Sequence, residues 1–524
     1  MMIPRRPTSR STLAVVAGLL LTTPALAHDP IDASQPPPQT AGVSIPAGQI
    51  AWAAERIDGL AKEMMERSGV PGLAIAVVHE GKPLVVKGYG LRKVGESAVI
   101  DADTVFQLAS LSKAVGAGVV AHEVAKGTVA WTTPVQKLLP WFALNDPWVS
   151  AHVTLADLYS HHSGLPDHAG DELEDVGFDR RQVLERLRLL PLAAFRASYA
   201  YTNFGLTAAA EAVATAAGKD WATLSEEALY KPLGMAATSS RFADFMARPN
   251  RAFPHVKEDG RFVSKYQRDP DAQSPAGGVS SSARDMAKWL AFVLGGGTVE
   301  GRELVPLKAL LPAMRGEVIS SPAYALDARP GTYGYGFSAG VSPTGRVTLD
   351  HSGAFILGAG TNFVLLPSEK LGIVVLSNAQ PTGAPEAVAM SFMDLVQFGA
   401  VTRDWYAAYG RLMAPLYTPL GALVGQTRPA SPAAAKPLDS YAGTYANTYF
   451  GDATVGVDAG ALVLSVGPKP RRFTLAPWSG DTFTFRPEGE ETAPVGTISQ
   501  VIFADGKMTV EFFNENGLGT FARK

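Results

Sequence analysis

The chain has 524 residues, 46% of them hydrophobic and 18% charged, a globular composition with too much apolar content for disorder. A net charge of −3 carries no electrostatic footprint for nucleic acid. The absence of cysteine excludes disulfides, thiolate metal sites and a cysteine nucleophile.

Arg5, Arg6 and Arg10 precede the apolar run TLAVVAGLLLTTPALA, which ends in Ala25-Leu26-Ala27. A basic start, a short apolar middle and small residues at the end read as a signal peptide over residues 1–27, implying a periplasmic or secreted protein. The apolar run falls short of the ~20 residues of a spanning helix, so a retained anchor is the weaker reading, and no stable membrane span is expected after cleavage. Residues 28–48 are Pro-rich and polar and read as a tether.

IDGLAKEMMERSGVPG has apolar positions at helical spacing, closed by Ser-Gly and Pro. LAIAVVHEGKPLVVKGYGLRK is two β-rich runs around Glu80-Gly81-Lys82, a hairpin signal. The middle, from about 110 to 300, is dominated by helical patterns. Strand patterns return in GYGFSAGV, RVTLDHSG, TNFVLLP and LGIVVLSN, the last two flanking the polar loop Pro367-Ser368-Glu369-Lys370. Strands at both ends of a helical middle predict one sheet built from sequence-distant segments, with one domain over 49–400. Residues 401–437 read as a connecting segment. From 438 to 524 short alternating runs predict a small all-β domain, with Asp505-Gly506 as a hairpin turn.

Three polar motifs carry the candidate chemistry. Ser110-Leu-Ser-Lys113 lies where a polar turn enters an apolar helix, so serine and lysine share one helical face near its positive end. A nearby ammonium helps to activate a serine without a His-Asp pair. Tyr201-Thr202-Asn203 precedes a second apolar helix, and its plain alternative is a core tyrosine followed by a helix cap. His-Ser-Gly occurs twice. The first copy, His162-Ser163-Gly164, follows a helical run and precedes Pro166, so it reads as a helix C-cap and turn. The second, His351-Ser352-Gly353, follows an alternating strand, where a sheet edge can lie alongside a substrate.

In this order the motifs resemble those of the β-lactamase-related serine hydrolases, the group of class C β-lactamases, DD-peptidases and D-aminopeptidases. HHSGLP, YKPLGMAATSS, PAGGVSSSARDMAKWL and YGYGFSAG are similar to stretches of that family, and the resemblance covers roughly 50–395. It implies an α/β (α+β) fold: an antiparallel sheet flanked by helices, plus an all-helical subdomain. The final 87 residues resemble an appended lipocalin-like β domain, barrel-like and small.

The resemblance implies Ser110 as acylated nucleophile, Lys113 as the cation that helps move its proton, and Tyr201 as general base and then acid. It implies Asn203 as a partner of Lys113 and of a substrate amide. The backbone N–H groups of Ser110 and Ala354 would form the oxyanion hole, and His351, Ser352 and Gly353 would bind the far end of the substrate. No cofactor or metal is implied, the partner is a small-molecule or peptide amide or ester, and subunit number stays open.

One position departs from the antibiotic-hydrolysing members, which usually carry lysine where this chain has His351. Histidine titrates near pH 6.5 and is a poorer clamp for a carboxylate at neutral pH. A peptidase, amidase or esterase is therefore favoured over a dedicated β-lactamase or DD-carboxypeptidase. A non-catalytic protein that binds cell-wall peptides is an alternative. So is a metal hydrolase built on His161, His162, His168, Asp171, Glu172 and Asp175, against which the plain reading is an exposed acidic loop.

Overall fold

The structure, a computed structural model, describes residues 41–490 and 496–524. The expected signal peptide and most of the Pro-rich tether lie outside the described residues. Among these residues no helix is long and apolar enough to cross a membrane.

The central sheet is antiparallel throughout. Its strands are β1 (Gly72–His79), β2 (Lys82–Gly90), β3 (Val318–Ser321), β4 (Gly331–Tyr333), β5 (Ser338–Val341), β6 (Val347–Phe355), β7 (Ala359–Leu366) and β8 (Leu371–Ser377). The order β2-β1-β8-β7-β6-β5-β4-β3 brings the first hairpin against the last central strand across almost 300 residues of chain, as the strand patterns predict. The β1–β2 turn uses Glu80 at φ 50° and Gly81 at φ 75°, the left-handed pair of a two-residue hairpin.

Both faces of the sheet are covered, which is why β1, β7 and β8 read as nearly continuous apolar runs rather than alternating ones. Leu73, Ile75 and Val77 join one core with helix α1 (Ile57–Ser68) and with a helix at Ala384–Phe398. Ala74, Ala76 and Val78 face the other core, shared with α2 (Leu111–Lys126), α3 (Asn203–Ala216) and α4 (Ala283–Leu294). Around α3, short helices at Val135–Leu138, Leu155–Tyr159 and Arg180–Arg186 complete the helical subdomain.

The helix before the first His-Ser-Gly ends at Tyr159 with Ser160 as its cap, so Gly164 is not the expected C-cap. Gly164 instead turns the chain at φ 85°, and its carbonyl accepts from Ala193 N at 2.8 Å. The connecting segment begins with a helix, Trp405–Met413, and the Trp405 indole donates to Asp394 at 2.7 Å.

Beyond it, eight sequential strands close into a barrel: β9 (Gly443–Ala446), β10 (Ala453–Asp458), β11 (Ala461–Val466), β12 (Arg471–Ser479), β13 (Thr482–Phe485), β14 (Ser499–Ala504), β15 (Lys507–Val510) and β16 (Thr520–Arg523). Asp505 and Gly506, both at positive φ, form the β14–β15 turn, as their pairing predicts.

The aromatic group Trp289, Phe337 and Phe363 ties α4 to the sheet, with Trp289 and Phe363 at 5.1 Å and Phe337 and Phe363 at 5.7 Å. Phe363 is fully buried and stands opposite His351 in the β6–β7 register. Phe363→Ala should destabilise the domain by about 3–5 kcal/mol, read from the denaturant midpoint of the whole chain; a change below about 1 kcal/mol would show that this cluster does not hold the sheet.

Candidate active site

Ser110 stands at a sharp turn between a short strand, Val105–Gln107, and helix α2. The preceding residue, Ala109, is forced to φ 47°, a left-handed conformation uncommon outside glycine. Ser110 is thereby the N-cap of a helix of 16 residues, where partial positive charge favours a developing anion. Strand β6 lies directly alongside. A Cβ on Gly353 would stand 2.4 Å from the Leu108 carbonyl and 3.1 Å from Ser110 N, so a side chain there would push the strand off the turn. Ser110 and Ala354 line the same cavity, of about 530 Å³, with Tyr201, Asn203, His351 and Ser352.

The three remote motifs meet. The Lys113 ammonium donates to Ser110 Oγ at 3.0 Å, Asn203 Oδ1 at 2.7 Å and the Ala276 carbonyl at 3.0 Å. The Tyr201 hydroxyl donates to Ser110 Oγ at 2.7 Å, and Lys113 Nζ lies 4.5 Å from the centre of its ring. Burial lowers Lys113 to about 7, with nearby Asp171 pulling the other way. Burial raises the Tyr201 phenol above its ordinary value, opposed by the bond to Ser110. Asn203 is the first residue of α3, whose N-cap is Thr202. Its Nδ2 donates to Asp171 Oδ2 at 2.7 Å, which orients the amide oxygen toward Lys113.

His351 is buried and both its ring nitrogens are engaged. Nδ1 donates to the Ser352 carbonyl at 2.6 Å, which leaves Nε2 to accept from the Tyr333 hydroxyl at 2.9 Å. Burial, with Lys113 adding to it, lowers His351 to about 4. The side chain is a neutral imidazole at pH 7, in an aromatic wall with Tyr333 and Tyr201. Ser352 Oγ accepts from Asn362 Nδ2 at 3.2 Å.

The segment read as an exposed acidic loop is largely buried, and this corrects that expectation. Only Asp167 and His168 in it are exposed between His161 and Asp175. The carboxylates are drawn inward because basic and amide groups of the cleft need partners. Asp171 accepts from Asn203 and from His168 Nδ1, and Glu174 accepts from Arg268 and Gln273. His161 packs against Tyr201 at 4.5 Å and accepts from Thr202 N, while His162 lies beside Asp157 and Arg196. Of the would-be metal ligands, His168 and Asp171 thus meet each other, while His161 and His162 face other partners. Among the described residues, no group of three or more such side chains is disposed to hold a metal.

Sequence reasoning missed Asp171 as a partner of Asn203, although its carboxylate lies in a stretch already singled out. It also missed Tyr333, which opens the YGYGFSAG stretch, together with Arg268 and Glu490. Glu490, in the loop after β13, reaches the cavity from the barrel, and Leu416 reaches it from the connecting segment. The Glu490 carboxylate accepts from Ile356 N at 2.6 Å and Leu357 N at 3.3 Å, and lies 3.8 Å from Arg268 Nε. Burial pushes Glu490 up to about 8, against the pull of Arg268. A single alternating strand pattern holds no cue to such a contact.

Known proteins resemble this chain in both of its parts. The beta-lactamase family model matches residues 57–397, and a domain of unknown function, DUF3471, matches 427–521. The unguisins hydrolase ungD of Aspergillus violaceofuscus is 27% identical over 79% of this chain and 80% of its own length. The D-alanyl-D-alanine-carboxypeptidase/endopeptidase AmpH of Escherichia coli K12 is 28% identical over 47% of this chain and 63% of its own. Among solved structures, the octameric penicillin-binding protein homologue from Pyrococcus abyssi aligns with a TM-score of 0.58 at 19% identity, over 87% of this chain and 98% of that one. A class C beta-lactamase from Rhodobacter sphaeroides aligns at 0.52 and 24%, over 66% and 98%; at these identities both likenesses speak for the fold alone. With about two thirds of its length matched by the family model, and with hydrolases among its relatives, the chain belongs to the beta-lactamase family and is a serine hydrolase.

Proposed function

We propose that this chain is an exported hydrolase that cleaves an amide or ester bond through an acyl-enzyme on Ser110, as a peptidase, amidase or esterase. The observation that carries the reading is the convergence on one oxygen: Ser110 Oγ receives both Lys113 Nζ and the Tyr201 phenol. The names of the relatives, a hydrolase and a carboxypeptidase/endopeptidase, support it. Export rests on the composition of residues 1–27.

The resemblance implies Tyr201 as general base and then acid. Its phenol is held protonated by burial, whereas Lys113 is brought to about 7, so we assign the first proton transfer to neutral Lys113. The amine takes the proton from Ser110 Oγ as Oγ bonds to the substrate carbonyl carbon. The carbonyl electron pair moves to oxygen, which the N–H groups of Ser110 and Ala354 receive at the helix start. Collapse breaks the C–N or C–O bond, the phenol gives its proton to the leaving group, and the proton held by Lys113 restores the phenol. Water then releases the acyl group by the reverse path. The neutral His351 supports a substrate not gripped by a carboxylate at that point, which favours peptidase or esterase chemistry over a dedicated β-lactamase.

A fluorophosphonate should label one residue, Ser110, and Ser110→Ala should abolish the adduct by mass spectrometry; labelling that survives the substitution removes Ser110 from the role, and an unlabelled wild type favours a binding protein. The labelling rate should rise with pH through about 7 as Lys113 loses its proton, then level off. Lys113→Arg, whose guanidinium does not titrate in this range, should lose that dependence together with most of the rate. A profile flat from about pH 5 to 9 in the wild type would take the base role from Lys113. Tyr201→Phe should reduce turnover of an amide by roughly 10²–10⁴ with the fold unchanged by circular dichroism; an unaltered rate would show that another group protonates the leaving atom.

A further inference from the structure

The barrel does more at the cleft than stand beside it. Its loop Glu488–Glu490 is seated on the catalytic domain by several independent contacts. Arg471 donates to the Asp175 carbonyl at 3.0 Å and to the Glu488 carbonyl at 2.8 Å, and Glu490 N donates to Asp175 Oδ1 at 3.0 Å. A Cβ on Gly489, at φ 143°, would stand 2.4 Å from Asp175 Oδ2, so the loop lies in direct contact with that carboxylate. Seated in this way, the buried Glu490 side chain enters the cavity that holds Ser110.

What it meets there is a set of donors. Ile356 N and Leu357 N are consecutive donors just past the end of β6, two and three residues beyond Ala354, and both are taken by the Glu490 carboxyl. The buried Arg268 guanidinium has its Nε 3.8 Å from the same carboxyl and donates through Nη2 to Glu174. Two adjacent backbone N–H groups and a buried guanidinium are the donor set that would receive a carboxylate or another anionic group of a ligand.

We propose that Glu490 occupies an anion-binding subsite at the end of the cleft and thereby selects for substrates whose acyl portion is uncharged there. The selection deepens the hydrolase reading above and rests on it. It acts through occupancy: while the glutamate side chain stands on the two N–H groups, a substrate carboxylate finds neither donor. It also runs in the same direction as His351, since both remove a place where an anionic substrate would be held.

The test compares two p-nitrophenyl esters with the same leaving group, the neutral butyrate and the anionic hemiglutarate, on the full chain. Glu490→Ala empties the subsite and leaves Arg268 facing it, so the ratio of kcat/KM for hemiglutarate to that for butyrate should rise about 10- to 100-fold, as expected for a charge-assisted hydrogen-bond site. Glu490→Gln keeps the site filled and should leave the ratio near the wild-type value. Glu490→Ser, short and polar, tests the same point where the alanine variant fails to fold. A ratio that stays constant in the Ala and Ser variants overturns the proposal, and so does an equal rise in Gln, which would make charge rather than occupancy the selector. Fluorophosphonate labelling of Ser110 is followed in the same samples. Loss of labelling in the wild type counts against the hydrolase reading, whereas intact labelling with an unchanged ratio counts against the subsite alone.

Discussion

The arrangement of the catalytic domain depends on where one buried amine finds its partners. A fully buried ammonium is tolerable only when its N–H groups are met by acceptors, and Lys113 meets three from three separate parts of the chain. Ser110 comes from the start of its own helix, Asn203 from the start of α3, and the Ala276 carbonyl from the short helix Ser274–Gly277. Losing any of these would leave a donor unsatisfied in a low-dielectric interior. Burial without full compensation has a chemical consequence as well, since it brings the amine to about 7 and places its proton exchange in the neutral range.

The frame around the amine is built to keep that geometry. Two-sided burial of β1, β7 and β8 makes the sheet a rigid middle layer, and β6 hangs from it by a continuous register with β7. The close approach of β6 to the Ser110 turn is possible because Gly353 has no side chain. From there the rings of His161, Tyr199, Tyr201, Tyr333 and His351 form a contiguous wall. The hydrogen bonds at His351 hold one neutral tautomer in that wall, so its contribution is shape and polarity rather than charge.

The barrel is joined to this frame by ionisable groups taken out of water. Arg268 stands between Glu174 and Glu490, and the two acids belong to different domains. Burial opposes the charge on Arg268, but the acids around it, Glu174 foremost, more than offset that and hold it cationic. Such networks add little net stability, because desolvation consumes much of the Coulomb gain, yet they strongly disfavour any arrangement that separates the partners. Here they define how the loop after β13 sits against the end of β6, and so what the cleft presents beyond Ala354.

Local pattern in the sequence was enough for much of the architecture. The first hairpin, the helical middle, the late strands and the Asp505-Gly506 turn follow from periodicity and turn chemistry, which act over a few residues. The motifs at Ser110, Tyr201 and His351 were visible because a serine and a lysine at a helix start, a tyrosine before a helix and a histidine on a strand carry distinctive neighbours. What the folded chain alone decided is everything set by burial and by contacts across long separations. Asp171 and Glu174 look like solvated acids in the sequence and are buried partners of Asn203 and Arg268 in the fold. His351 is an ordinary titrating side chain until Tyr333 and the Ser352 carbonyl use both nitrogens. Glu490 has no motif, and its place in the cleft comes from the docking of one domain on another. Periodicity records which face of an element is apolar, whereas proton affinity and site membership depend on the solvent lost and the partners gained when distant segments close together.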